Sequence, residues 1–268
     1  MGSGPLELLR DEAIPGRLRD AGHDVEMDWI DDPTEDHETG RIFAINRELA
    51  GAVSAAREAG RTPMIVAGNC NVCLGAIGGI DSSRCGIVWL DAHPDFHTPE
   101  TTDSGFLDGM GLAMATGACW STLARSIPGF RPIDERDAVL VGVREIDFGE
   151  QERLDSGEVT VIAGSGGPGA LAREDVERAA TALAERVDGV YLHLDSDSID
   201  PSYGRANEYA APGGLSVEDA RVAIASVAQR VPILAFSFTA YNPRVDGDRF
   251  GPTALDVVDA AVAAGATA

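Results

Sequence analysis

An α/β fold, with a parallel sheet covered by helices on both faces, is what this sequence predicts, on three observations. Short apolar runs such as Gly86-Ile87-Val88-Trp89-Leu90 and Gly189-Val190-Tyr191-Leu192-His193-Leu194 have the length and composition of strands buried on both sides. Segments with apolar residues at helical spacing fall between most of the runs. Two of the runs end directly on acidic clusters, Asp91-Ala92-His93-Pro94-Asp95 and Asp195-Ser196-Asp197. That puts four carboxylates and an imidazole at C-terminal strand ends, where open α/β sheets hold their ligands.

The elements follow in order. A helix-like segment, Leu6 to Arg19, opens the chain where this kind of fold usually opens with a strand, so the first strand is either absent or enters late. Strands are expected at about 24–30, 62–67, 86–91, 138–143, 159–163, 189–195 and 232–238. Ile42, Ile45, Leu49, Ala52, Val53 and Ala56 predict a helix over 38–60, and Ala180, Leu183, Ala184 and Val187 one over 172–187. Ser216, with Asp219 three positions on, caps a helix over 216–229. A helix beginning near Cys70 would turn Cys73 into the core. No repeat and no dividing linker is present, so residues 1–268 read as a single domain. The segments 96–108 and 198–214 are long for loops in a compact domain, and both leave the acidic strand ends, where long loops tend to be functional.

Composition narrows the function. The net charge of −23 leaves no basic stripe for nucleic acid and disfavours an anionic membrane surface; it reads as a surface solubility trait. No run of about 18 apolar residues predicts a membrane span, and the opening Met1-Gly2-Ser3-Gly4-Pro5 predicts no secretory signal. Four cysteines, Cys70, Cys73, Cys85 and Cys119, point to a reducing cytoplasm. Cys70 and Cys73 have CxxC spacing, but no second pair completes a zinc site.

The acidic clusters carry the chemistry. In extended backbone alternate residues share a face, so Asp91, His93 and Asp95 converge, and so do Asp195 and Asp197. Unneutralised, such carboxylates raise one another's pKa. One divalent ion or a pair of them removes the repulsion, and carboxylate with imidazole suits Mn²⁺ or another first-row ion. Two ions held by shared carboxylates would activate a water near neutral pH. A lone aspartate at a strand end reads as a loop-ordering acid; five ligands in two clusters do not. His97 reads as a loop or pocket residue. His193 alternates with Asp195 and reads as a satisfied core histidine or as part of the same layer. His23 and His37 read as surface residues.

These motifs resemble the ureohydrolase superfamily of arginase, agmatinase and formimidoylglutamase. The resemblance rests on Ala67-Gly68-Asn69-Cys70-Asn71, Asp91-Ala92-His93-Pro94-Asp95, His193-Leu194-Asp195-Ser196-Asp197-Ser198-Ile199-Asp200-Pro201 and Ala240-Tyr241-Asn242-Pro243. Gly142-Val143-Arg144-Glu145-Ile146-Asp147 and Pro212-Gly213-Gly214-Leu215-Ser216 also resemble family segments. The resemblance implies a three-layer α/β/α domain with about seven to eight parallel strands, a trimer or hexamer, a small-molecule substrate and one or two Mn²⁺ or other divalent ions. It places Asp91, His93, Asp195 and Asp197 around one ion. Around the other it places Asp91, Asp95 and Asp195, with Cys70 where the family has histidine. Asp91 and Asp195 would bridge the ions, and Asp197 would orient the attacking water. Asp108 stands at the family's pocket histidine and is, with Asp197 and His97, a candidate catalytic residue. Ser104, Asp147 and His97 match positions that grip the far end of an arginine-like substrate.

Three departures qualify the resemblance. A thiol at Cys70 favours zinc over manganese. Asp108 replaces an imidazole by a carboxyl, which acts as acid or base only with a raised pKa. Ala240 replaces the glutamate that faces a guanidinium, which makes arginine a poor substrate. A subgroup resembling the Nω-hydroxy-arginine hydrolases shares the cysteine. The expected function is therefore metal-dependent hydrolysis of a linear C–N bond in a guanidino, amidino or related substrate. The alternatives are a degenerate ureohydrolase with a binding or structural role, and a single-metal, deacetylase-like amide hydrolase.

Overall fold

The computed structural model describes residues 3–9, 13–164, 166–247 and 249–265. Its six strands are β1 (Met64–Val66), β2 (Cys85–Leu90), β3 (Ala138–Val143), β4 (Thr160–Ala163), β5 (Gly189–Asp195) and β6 (Ile233–Thr239). All pair in parallel, in the order β1-β6-β5-β2-β3-β4. The helices are α1 (Gly4–Leu9), α2 (Ala13–Asp20), α3 (Glu38–Glu58), α4 (Cys73–Ile80), α5 (Gly111–Ala115), α6 (Ser121–Ala124), α7 (Phe148–Ser156), α8 (Arg173–Ala184), α9 (Val217–Ala228) and α10 (Gly251–Gly265).

Strand periodicity sorts the side chains into two cores. Ile87 and Trp89 of β2, Tyr191 of β5 and Ala235 of β6 face a core shared with α3, α4 and α5. Val88 and Leu90, Leu192 and Leu194, and Phe236 and Phe238 face the opposite core, closed by α2, α8, α9 and α10. The result is the expected three-layer α/β/α arrangement. α4 has a glycine-rich sequence that would not hold a helix alone. It is held by close contact with α3, and a Cβ on Gly79 would lie 2.5 Å from Val53 Cβ.

The sheet topology fixes the site. β2 passes to β3 on one side, whereas β5, its other neighbour, passes to β6 on the other. This reversal opens a crevice at the carboxyl ends of β2 and β5. Leu90 pairs with Leu194, so Asp91 and Asp195 leave neighbouring strands at the same level.

Two expectations need correction. The segment 24–30 is not a strand, so the sheet has six strands where seven to eight were expected. Its alternation of Asp24, Glu26 and Asp28 with apolar residues imitates a strand. Yet Arg61 holds it through side-chain ion pairs at 2.8 Å to Asp24 and 3.2 Å to Glu26, and the neighbouring edge strand β1 pairs only with β6. The opening helix is found as α1 and α2; residues 10–12 between them lie outside the described residues. Helices α7 and α10 were not anticipated. The capping box of α9 forms as read, with Ser216 Oγ accepting from the Asp219 amide at 2.9 Å and the Asp219 carboxylate accepting from the Ser216 amide at 2.9 Å. Among the described residues no helix is long and apolar enough to cross a membrane.

Candidate metal centre

The carboxylates at the strand ends are fixed first by backbone amides. Asp91 Oδ1 accepts from the His93 amide at 2.8 Å, and Asp195 Oδ1 from the Asp197 amide at 2.8 Å. Asp197 Oδ1 accepts from the Ala92 amide at 3.3 Å, which ties the β5 end to the β2 end. Asn207 Nδ2 donates to Asp197 Oδ2 at 3.0 Å, and Trp89 Nε1 to Asp91 Oδ2 at 2.9 Å.

Two groups of ligand-type atoms result, and Asp91 belongs to both. Asp91, His93 and Asp197 form one; Cys70, Asp91, His193 and Asp195 form the other; within each group the atoms lie within 4.8 Å of one another. In the first, His93 Nδ1 stands 3.4 Å from Asp91 Oδ1 and 3.5 Å from Asp197 Oδ2. In the second, Cys70 Sγ donates to Asp195 Oδ2 at 2.9 Å. Asp95 sits beside them with a left-handed backbone, φ 49°, and its buried Oδ2 has no hydrogen-bond partner. A buried, unpartnered carboxylate oxygen among other acids fits a site made for a cation.

The electrostatics agree. Burial, then the neighbouring Asp197, raise the Asp91 pKa to about 7. Burial and the adjacent carboxylates push Asp95 and Asp195 well above the usual carboxylate range. Burial opposes the charge on Asp197 too, but hydrogen bonds from His93 and Asn207 hold its pKa below the usual range. Burial alone would lower the His93 pKa; Asp197 and Asp91 raise it to about 12. The acids thus gather whatever positive charge is nearest, and a divalent ion supplies more than one imidazolium does.

Asp108 lies with the centre in an unexpected manner. Its Oδ1 accepts from the Cys70 and Asn71 amides at 2.6 and 3.2 Å, and its Oδ2 from Asn69 Nδ2 at 3.0 Å. Both oxygens therefore hold the turn that carries Cys70. Burial outweighs these bonds and raises its pKa to about 6.

His97 lies with Asp147, away from the strand-end carboxylates. Its Nε2 is 2.7 Å from Asp147 Oδ2 and 3.9 Å from Glu150 Oε2, and its Nδ1 meets Thr101 Oγ1 at 3.2 Å. Asp147 also caps α7 through the Glu150 amide at 3.1 Å. Ser104 is separate from this pair: its Oγ meets Thr102 Oγ1 at 3.3 Å and accepts from the Phe106 amide at 3.1 Å, at an exposed loop tip.

The contacts of several residues had no signal in the sequence. Arg144 donates to the carbonyls of Gly142, Asp197, Ser198 and Ala211, clasping the 198–214 loop. Asp200 receives the Gly213 and Gly214 amides at 2.8 and 3.0 Å, and a Cβ on Gly214 would press within 2.7 Å of Arg144. The rings of Phe106 and Tyr209 stack at 5.9 Å, and Tyr209 meets His93 edge-on at 6.5 Å, so an exposed aromatic rim borders the centre. Ala240 is buried with φ 62°, and its carbonyl accepts from Asn207 at 3.1 Å.

Comparison with known proteins bears on this arrangement. The profile of the arginase family matches residues 4–266. The chain is 32% identical to the arginase of Bacillus caldovelox over 208 residues, covering 76% of this chain and 69% of the relative. A solved structure of arginase from Bacillus cereus superposes with a TM-score of 0.85 at 26% identity, covering 97% of this chain and 91% of the other. The agmatine ureohydrolase of Thermoplasma volcanium shares the fold, with a TM-score of 0.62 at 21% identity over 84% of this chain and 69% of that one.

Proposed function

The chain belongs to the arginase family, and we propose that it is a metal-dependent hydrolase of a linear C–N bond in a guanidino or amidino substrate less basic than arginine. The observation that carries the reading is the pair of ligand groups sharing Asp91 at the switch point of the sheet, with the unpartnered oxygen of Asp95 beside them. Asp91, His93, Asp95, Asp195 and Asp197 would hold one or two divalent ions, with Mn²⁺ the ion that family kinship suggests at Asp91, His93 and Asp197, and with Cys70 beside Asp195. When bound, the metal supplies Lewis-acid polarisation and lowers the pKa of a water.

The chain's own residues do the rest. Asp197 is the hydrogen-bond acceptor that orients the attacking water, and Asn207 and Ala92 hold its carboxylate in place. Asp108 is a positioning residue: it fixes the Cys70 turn. Phe106 and Tyr209 keep bulk water from the reacting carbon on the open side.

Two features support a substrate unlike arginine. Ala240 offers no carboxylate to a guanidinium, and a buried cation without its partner is unfavourable. Asp147 already holds His97, so it is not free to take an ammonium group at the far end. The quaternary state carried over from the family is a homo-oligomer, a trimer or hexamer, which light scattering tests.

The deciding experiment is a screen of protein reconstituted with Mn²⁺, scored for urea and ammonia release from arginine, agmatine, hydroxy-guanidines and neutral amidines, with a chelated control. Metal-dependent turnover of one of the less basic substrates is expected. Metal-independent turnover, or arginine turnover at about 10 s⁻¹ or faster, overturns the reading. A single-ion amide hydrolase is the second reading, favoured by the self-sufficient group Asp91, His93 and Asp197; amide release with one bound equivalent identifies it.

A further inference from the structure

Two imidazoles lie among the strand-end carboxylates, and they sit in unlike settings. The His93 side chain is 28% exposed. His193 is completely buried on the helix-facing side of β5. Its ring is stacked on Trp89, with centroids 3.6 Å apart and planes 14° from parallel. Behind it, Tyr191 Oη and Ser237 Oγ both meet Nδ1, at 2.9 and 3.0 Å. Where Nδ1 donates to either hydroxyl oxygen, Nε2 carries the lone pair.

A ring nitrogen of His193 lies within 4.8 Å of ligand atoms of Cys70, Asp91 and Asp195, and with Nδ1 taken up by the two hydroxyls, Nε2 is the one available. Nε2 meets Thr239 Oγ1 at 3.2 Å. That hydroxyl has one proton and stands 3.4 Å from each of Leu194 O, Asp195 Oδ2 and Cys70 Sγ, so it does not satisfy them all. A ring clamped on its face and backed at Nδ1 by two hydroxyls, with a ring nitrogen among three ligand-type side chains, is held as metal-ligating imidazoles are held.

We propose that Cys70, His193, Asp91 and Asp195 form a zinc-preferring position, distinct in metal choice from the position at Asp91, His93 and Asp197, and that His193 is its nitrogen donor. One sulphur, one nitrogen and two carboxylate oxygens make a donor set suited to four-coordinate zinc. Thiolate and imidazole select zinc, whereas a carboxylate-rich, water-accessible set suits manganese. Cys70 gives its proton to solvent as its bond to the ion forms. The inference rests on the metal-centre reading above and is independent of the substrate.

The test uses the full chain, stripped by chelator and given one equivalent of Zn²⁺. Zinc-edge X-ray absorption is expected to show one sulphur at about 2.3 Å and one imidazole. The first equivalent of Co²⁺ is expected to raise a thiolate-to-metal charge-transfer band that Cys70→Ser abolishes. Cys70→Ser should also narrow the preference of this position for Zn²⁺ over Mn²⁺ by at least about tenfold in competition binding. Zinc bound through oxygen and nitrogen alone, or no ion bound at all, overturns the proposal. A sulphur shell without imidazole scattering overturns the role of His193 on the unmodified protein, so a His193→Gln variant that fails to fold does not block the test. Zinc–sulphur ligation without any hydrolysis leaves this proposal standing and removes the functional one; hydrolysis without it does the reverse.

Discussion

The floor of the site and its rim are built from different parts of the chain. The floor consists of Asp91, His93, Asp195 and Asp197 at the ends of two central strands, and backbone amides hold the three carboxylates. The rim consists of loop residues: Phe106, Tyr209, His97 and Ser104. Phe106 and Tyr209 are 37% and 53% exposed, against 1%, 3% and 2% for Asp91, Asp195 and Asp197. The floor is rigid because moving any one carboxylate breaks the sheet-end network. The rim is free to vary because its residues lie in loops outside that network. On the proposed reading, reaction type belongs to the strand ends and substrate choice mainly to the loops around them.

The largest effect should come from the floor. Asp91→Asn is expected to remove metal from both positions and to lower kcat/KM by roughly 10²- to 10⁴-fold, since breaking a buried charged set costs about 3–5 kcal/mol. Elemental analysis beside steady-state rates checks it, and wild-type rates would break the division between floor and rim. Ala240→Glu comes next. Restoring a charged hydrogen bond should raise kcat/KM on a guanidinium substrate by roughly 10- to 100-fold; no gain with agmatine or arginine would mean that position 240 does not face the substrate.

Smaller effects should follow at the rim. His97→Asn frees Asp147, and KM for a substrate with a distal ammonium should fall about tenfold with kcat unchanged. A fall in kcat instead would move His97 from the rim to the reacting centre. Tyr209→Phe keeps the stacked ring and should change rates by no more than about twofold; a tenfold loss would make the phenol part of the chemistry.

The same division decided what could be read from the sequence. Floor residues are legible because strand periodicity and the i, i+2 spacing of acids are local signals, as with Asp91 and His93 or Asp195 and Asp197. The brace between Asp108 and Cys70 spans 38 residues, and the Thr239 contact to His193 spans 46. Nothing local announces either. Arg144 stood in a family-like segment, but its grip on the carbonyls of Asp197, Ser198 and Ala211, 53 to 67 residues away, has no local signal. The segment 24–30 misled in the opposite direction, because alternation indicates two unlike faces and not a partner strand. Helix α10 was passed over although its Val257, Val258 and Ala261 lie buried against the sheet.

One carboxylate, Asp91, is common to both ligand groups. Two ions drawing on the same donor do not bind independently. Whatever charge the first ion withdraws from Asp91 is no longer offered to the second, while the same ion removes the mutual repulsion of the other acids. The sign of that balance sets whether loading is cooperative or anticooperative, and the effect is reciprocal: zinc must change the affinity for manganese by the same factor as manganese changes the affinity for zinc. On the proposed reading the two occupancies form a single two-variable equilibrium.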